Sequence, residues 1–167
     1  MWKTELHMKN IIPYLIIILC LSVCARTGYA ATSEKAVKEL LEKAQKELYT
    51  NPQQVAYYAT KARAAATSPL LRAQSLYLYA QAEKLLGNFD GCIEALYEAQ
   101  DLLSDKKEET GLKGHIYNLM SVTYCNLGDY GKAITLSDKA ISFFKVQNDS
   151  LNLASVSYTH LTLPTIA

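Results

Sequence analysis

The residues able to do chemistry near neutral pH are few, and their spacing is poor for it. A general base or metal-binding imidazole would have to come from His7, His115 or His160, and a thiolate from Cys20, Cys24, Cys92 or Cys125. His7 precedes an apolar N-terminal run, His160 lies in an irregular C-terminal stretch, and only His115 falls in the helical body of the chain. A lone helical histidine with no nucleophile in register is a structural or surface residue. No C-x-x-C pair, metal-ligand spacing or glycine-rich phosphate loop occurs. The sequence therefore predicts no catalytic residue, no metal site and no cofactor. Function is to be sought in a surface.

The elements that would carry such a surface are written twice. Leu127-Gly128-Asp129-Tyr130-Gly131-Lys132-Ala133-Ile134 repeats Leu86-Gly87-Asn88-Phe89-Asp90-Gly91-Cys92-Ile93, and matching segments follow to Ala140 and Ala99. The glycine can take the left-handed conformation that ends one helix, and the Asp or Asn after it can accept the backbone N–H groups that start the next. Small residues at three and ten positions past the aromatic give the second helix a side that can approach a neighbour closely. Self-similarity at a period of tens of residues marks a repeat array.

These segments resemble tetratricopeptide repeats, whose units are two antiparallel helices with Gly, an aromatic and Ala marking the turn and the packing of the second helix. The second unit supplies Gly87, Phe89 and Ala99, with Cys92 where alanine is usual. The third supplies Gly128, Tyr130, Ala133 and Ala140, and its first helix has Tyr117, Met120, Ser121 and Tyr124 at the large, large, small and large positions. A degenerate first unit has Asn51-Pro52 at the turn and Val55 and Ala62 at the packing positions. The steps from Ala62 to Ala99 and from Ala99 to Ala140 are 37 and 41 residues, longer than the usual unit of about 34, as in several bacterial sensory relatives. The resemblance spans residues 33–144. It implies an all-α fold, a right-handed superhelix of about three helix pairs (33–66, 69–104 and 108–146), cut short.

In chain order, Lys3 and Lys9 precede a near-continuous apolar run, Ile11 to Ala25, of about 15 residues, short of the roughly 20 that span a bilayer. Gly28-Tyr29-Ala30 fits the small-x-small cleavage rule, so residues 1–30 are expected to be a secretory signal, with Met1 or Met8 as the start. Leu21-Ser22-Val23-Cys24 resembles a lipoprotein signal box with Val23 in the place of a small residue. The mature chain keeps Cys92 and Cys125, expected as buried thiols. Helices are expected over Ser33–Tyr49, from Pro52 to about Ala66, Pro69–Leu86, Phe89 to about Leu103, about Leu112–Leu127 and Tyr130 to about Val146. Residues 104–111 form a solvated connection, and a seventh helix begins at Leu151 but does not develop. Val156 to Thr165 is β-branched and carries Pro164, and it resembles one reading frame of a transposase adapter from sequencing-library preparation. Residues 156–167 are thus expected to be a non-native tail, and the native sequence to continue elsewhere after Ser155.

Between Ala31 and Ser155 there are 14 Lys and Arg against 15 Asp and Glu. A near-neutral surface with no basic stripe argues against nucleic acid as the partner of this segment. The resemblance implies an inner wall lined by first helices: Gln74, Tyr77, Gln81 and Lys84 in the second unit, and His115, Asn118, Val122 and Asn126 in the third. Such a wall suits a protein or extended peptide. Tyr124 and Tyr130 are expected to dominate the third unit, and Ile141, Phe143 and Phe144 to lack full cover. Together these point to an exported, periplasmic interaction module, the sensory part of a larger protein, with membrane contact only through the signal or a missing downstream segment. The alternatives are a free or lipid-anchored envelope scaffold, and a non-catalytic piece of an enzyme.

Overall fold

The computed structural model describes residues 34–103 and 109–157. The expected signal, the Lys106-Lys107-Glu108 connection and all of the tail after Ser157 lie outside the described residues. Seven helices and no strand occur among the described residues: α1 (34–47), α2 (Pro52–Ala65), α3 (Pro69–Leu85), α4 (Phe89–Asp101), α5 (Thr110–Asn126), α6 (Tyr130–Gln147) and α7 (150–157).

The ends of these helices follow from local chemistry. Side-chain oxygens of Asn51, Ser68, Asn88 and Asp129 accept the backbone N–H of Gln54, Leu71, Gly91 and Lys132, each satisfying a donor with no partner inside the helix. Pro52 and Pro69 stand in the first turn, where a missing N–H costs nothing. At the other ends Gly87 and Gly128 take φ of 80° and 79°. Their amides bond back to Lys84 and Cys125, and the next amides bond to Glu83 and Tyr124, closing the last turns of α3 and α5 identically. The two glycines are equivalent corners.

The repeat is equally visible in burial. Val55, Cys92 and Ala133 are fully buried at matched places in α2, α4 and α6, as are Ala62, Ala99 and Ala140 two turns further on. These small side chains let each second helix lie close to its partner: α2 packs against α3, α3 against α4, and α5 against α6, with α3 and α4 both also touching α5. One apolar cluster joins α3, α4, α5 and α6 through Leu76, Leu96, Ile116, Met120 and Leu136. A second joins α1, α2 and α3 through Ala44, Val55, Ala59 and Leu78, with Leu48 just past the end of α1. Burying each such Leu, Ile or Met contributes about 1.5–3 kcal/mol, so stability is spread along the stack.

The C-terminal part departs from expectation. Residues 150–157 are helical, so the seventh helix does develop: Asp149 accepts the Asn152 amide and starts it. Its Val156 is fully buried and, with Leu153 against the same cluster, covers Phe144. Phe144 is therefore wholly buried, where incomplete cover was expected, and Phe143 stacks on Tyr117 with ring centroids 5.5 Å apart. Packing of Leu153 and Val156, three residues apart on one side of α7, outweighs the poor helix propensity of Val156. The third unit is dominated by Ile116, Met120 and Phe144, all fully buried, whereas Tyr124 and Tyr130 are half-buried.

Candidate binding face

First helices α1, α3 and α5 lie side by side. α1 and α3 share a hollow of about 280 Å³ lined by Leu41, Glu42, Gln45, Gln74, Tyr77 and Leu78. α3 meets α5 where the Tyr77 ring faces His115, centroids 6.1 Å apart. Of the residues expected of the inner wall, Gln74, Tyr77 and His115 meet here, because positions spaced three and four apart fall on one stripe of a helix.

Tyr77 is the centre of this face. Gln81, one turn on, donates from Nε2 to the Tyr77 hydroxyl at 3.2 Å. Burial, then the neighbouring Tyr49 and Cys92, push the Tyr77 phenol up to about 12, so it stays a neutral donor and acceptor. His115 touches Tyr77 on one side and meets Phe144 edge-on on the other, with centroids 5.2 Å apart. Burial holds the imidazole below its ordinary value while the Asp149 carboxylate pulls the other way. Beside them the Gln81 Oε1 and Asn118 Oδ1 atoms are buried with no hydrogen-bond donor among the described residues. The result is a mostly neutral strip of phenol, imidazole and amides over an apolar floor.

The other expected wall residues are less gathered. Gln74 borders the hollow, Lys84 and Val122 are half-buried further along, and Asn126, the last residue of α5, is exposed. The step of 41 that relates Gly87 to Gly128 sets Cys125, not Asn126, opposite Lys84. Sequence reading missed the contribution of α1: Leu41 and Gln45 lie one turn apart on its α3 side. Their four-residue spacing was the available signal.

The structural repeat residues sit elsewhere, between helix pairs. The Cys92 thiol lies 3.4 Å from Thr123 Oγ1, whose own proton goes to the Leu119 carbonyl at 2.8 Å, so the sulfur donates. Ser121 Oγ donates to the Ala133 carbonyl at 2.8 Å, tying α5 to α6. The Tyr97 and Tyr124 hydroxyls approach to 3.4 Å, and Lys132 Nζ stands 4.9 Å from the centre of the Tyr124 ring. Phe89 and Tyr130 are half-buried beside their caps.

Among the described residues no group of three or more His, Cys, Asp or Glu could hold a metal ion, and no helix is long and apolar enough to cross a membrane. Compared with family models and with curated proteins, the chain matches none. Any assignment therefore rests on the residues and the geometry above.

Proposed function

We propose that the chain is a tetratricopeptide-type module, a right-handed stack of helix hairpins that binds a protein or extended peptide on the α1, α3 and α5 face. The observation that carries this is the strip from the α1–α3 hollow past Tyr77 to His115: an apolar floor bordered by the Gln45 and Gln74 amides and the Gln81–Tyr77 pair, spanning three first helices. An extended chain offers alternating side chains and a ladder of N–H and C=O groups, which such a strip complements. Equivalent corners at Gly87 and Gly128, and the matched burial of Cys92 with Ala133 and of Ala99 with Ala140, support the stacking. On this reading the protein performs no reaction of its own.

The composition of residues 1–30 supports export, and with it a periplasmic setting as the sensory or scaffold part of a larger protein. The test is selection of peptides from a random library on the immobilised full chain, followed by binding to a Gln81→Arg, Asn118→Arg variant. Selected peptides should lose affinity at least about tenfold for the variant, about 1.4 kcal/mol, while its helical signal is unchanged. Undiminished binding would remove the assignment of this face.

A further inference from the structure

We infer that the hollow between α1 and α3 seats a bulky apolar side chain of the bound peptide, and that peptides with an acidic residue at that place are excluded. This rests on the binding-face reading above and adds the chemistry of the anchor. The floor is apolar: Leu78 is 6% exposed and lies beside Leu41 and the Tyr77 ring. Among the described residues the rim is polar and carries no cation, and Glu42 is its one charged member. A pocket with that floor takes a hydrocarbon side chain, because burying it there gains the transfer free energy of its whole apolar surface. An Asp or Glu in the same place would lose its hydration, find no lysine or arginine to pair with, and meet Glu42.

Two features favour a peptide over a free small molecule. The side-chain amides of Gln45 and Gln74, at the rim, have no partner among the described residues, so both can bond the main chain on either side of the anchor. Tyr77, on the lining of the hollow, also bonds Gln81 and faces His115, so an extended segment leaving the hollow past Tyr77 continues onto the half-buried side chains of α3 and α5. Successive side chains of such a segment alternate in direction, so one enters the hollow and its neighbours do not.

The experiment uses the full chain and four capped heptapeptides of alternating Ser and Ala that differ only at the central residue: Phe, Leu, Ala or Asp. Affinities and perturbed backbone amides are read by NMR titration. The Phe and Leu peptides should bind at least tenfold tighter than the Ala peptide, and the Asp peptide more weakly than Ala. Gln45→Trp, at an exposed rim position, should fill the hollow and abolish the Phe preference without moving the thermal midpoint. Equal affinities for all four peptides, or a Phe preference that survives Gln45→Trp, overturn the anchor, while perturbed amides at Gln81 and Asn118 would leave the binding face standing. If no peptide perturbs α1, α3 or α5, the anchor and the face fall together.

Discussion

The His115 imidazole meets the Phe144 ring edge-on at 69°, with centroids 5.2 Å apart, so one side chain of the binding face rests on the residue that α7 covers. Burial makes protonation of His115 harder in the folded chain than in the unfolded one, although Asp149 opposes this. The folded value lies below the ordinary 6.5, so below about pH 6.5 the unfolded chain binds more protons. Stability from this group is full above that pH and falls as pH drops through the window beneath it. In denaturant titrations, the stability of His115→Gln should be flatter than wild type between pH 7 and 5. Parallel profiles would show that His115 is not the titrating group. The lowered values of Asp129 and Asp149, from hydrogen bonds to Lys132 and Asn152, act only in the acid range below 3.8 and leave this window clear.

Gly87→Ala and Gly128→Ala each place a Cβ on a residue at φ near +80°, with nothing within 4 Å of it. Backbone strain is therefore the main cost, about 1 kcal/mol for each, with a slightly larger loss if the capping turn opens. The two corners are in different hairpins, so the double variant should lose the sum to within about 0.5 kcal/mol. Urea denaturation followed by circular dichroism measures this. Unequal costs would mean that the two corners are not equivalent.

Close approach of helices gives a sharper contrast. A Cβ at Gly114 would come within 2.8 Å of the Phe144 ring, which is packed on all sides, and Ala99 is fully buried against its neighbours. Gly114→Ala and Ala99→Leu should each lower stability by about 1–3 kcal/mol through overpacking. Tyr97→Leu, at a 45% exposed position, should cost under about 0.5 kcal/mol beyond its weak contact with Tyr124. A tolerated Ala99→Leu would contradict the close packing of α4.

Much of this was legible in the sequence because it depends on local chemistry. Asn51, Ser68, Asn88 and Asp129 cap helices whatever lies nearby, and Gly87 and Gly128 announce their corners by residue type. The burial of Cys92 with Ala133, and of Ala99 with Ala140, follows from the same spacing. What depends on neighbours was not legible. Phe144 looked uncovered because Val156, β-branched and followed by Pro164, reads as a helix breaker until Ala140 and Phe144 offer it a place to pack. Tyr124 looked like a core residue, yet its ring lies under Lys132 and its hydroxyl meets Tyr97, which pushes the phenol up to about 12. The part of α1 in the binding face escaped notice because its pattern shows an apolar side but not the helix on which that side leans.

The two described cysteines should differ in reactivity. Cys92 is fully buried and burial pushes its thiol up, whereas Cys125 is half-buried. Alkylation of the native chain, mapped residue by residue by mass spectrometry, should label Cys92 at least about tenfold more slowly than Cys125, because reaction at Cys92 waits on local opening. Equal rates would mean that the α4–α5 contact opens readily.

The most direct measurement is the set of intermolecular NOEs between the full chain and a selected peptide. Contacts are expected from the peptide to Gln74, Tyr77, Gln81 and Asn118, with one apolar side chain reaching Leu41 and Leu78. Contacts confined to α2, α4 and α6, or chemical change in the peptide on incubation, would contradict the proposed function.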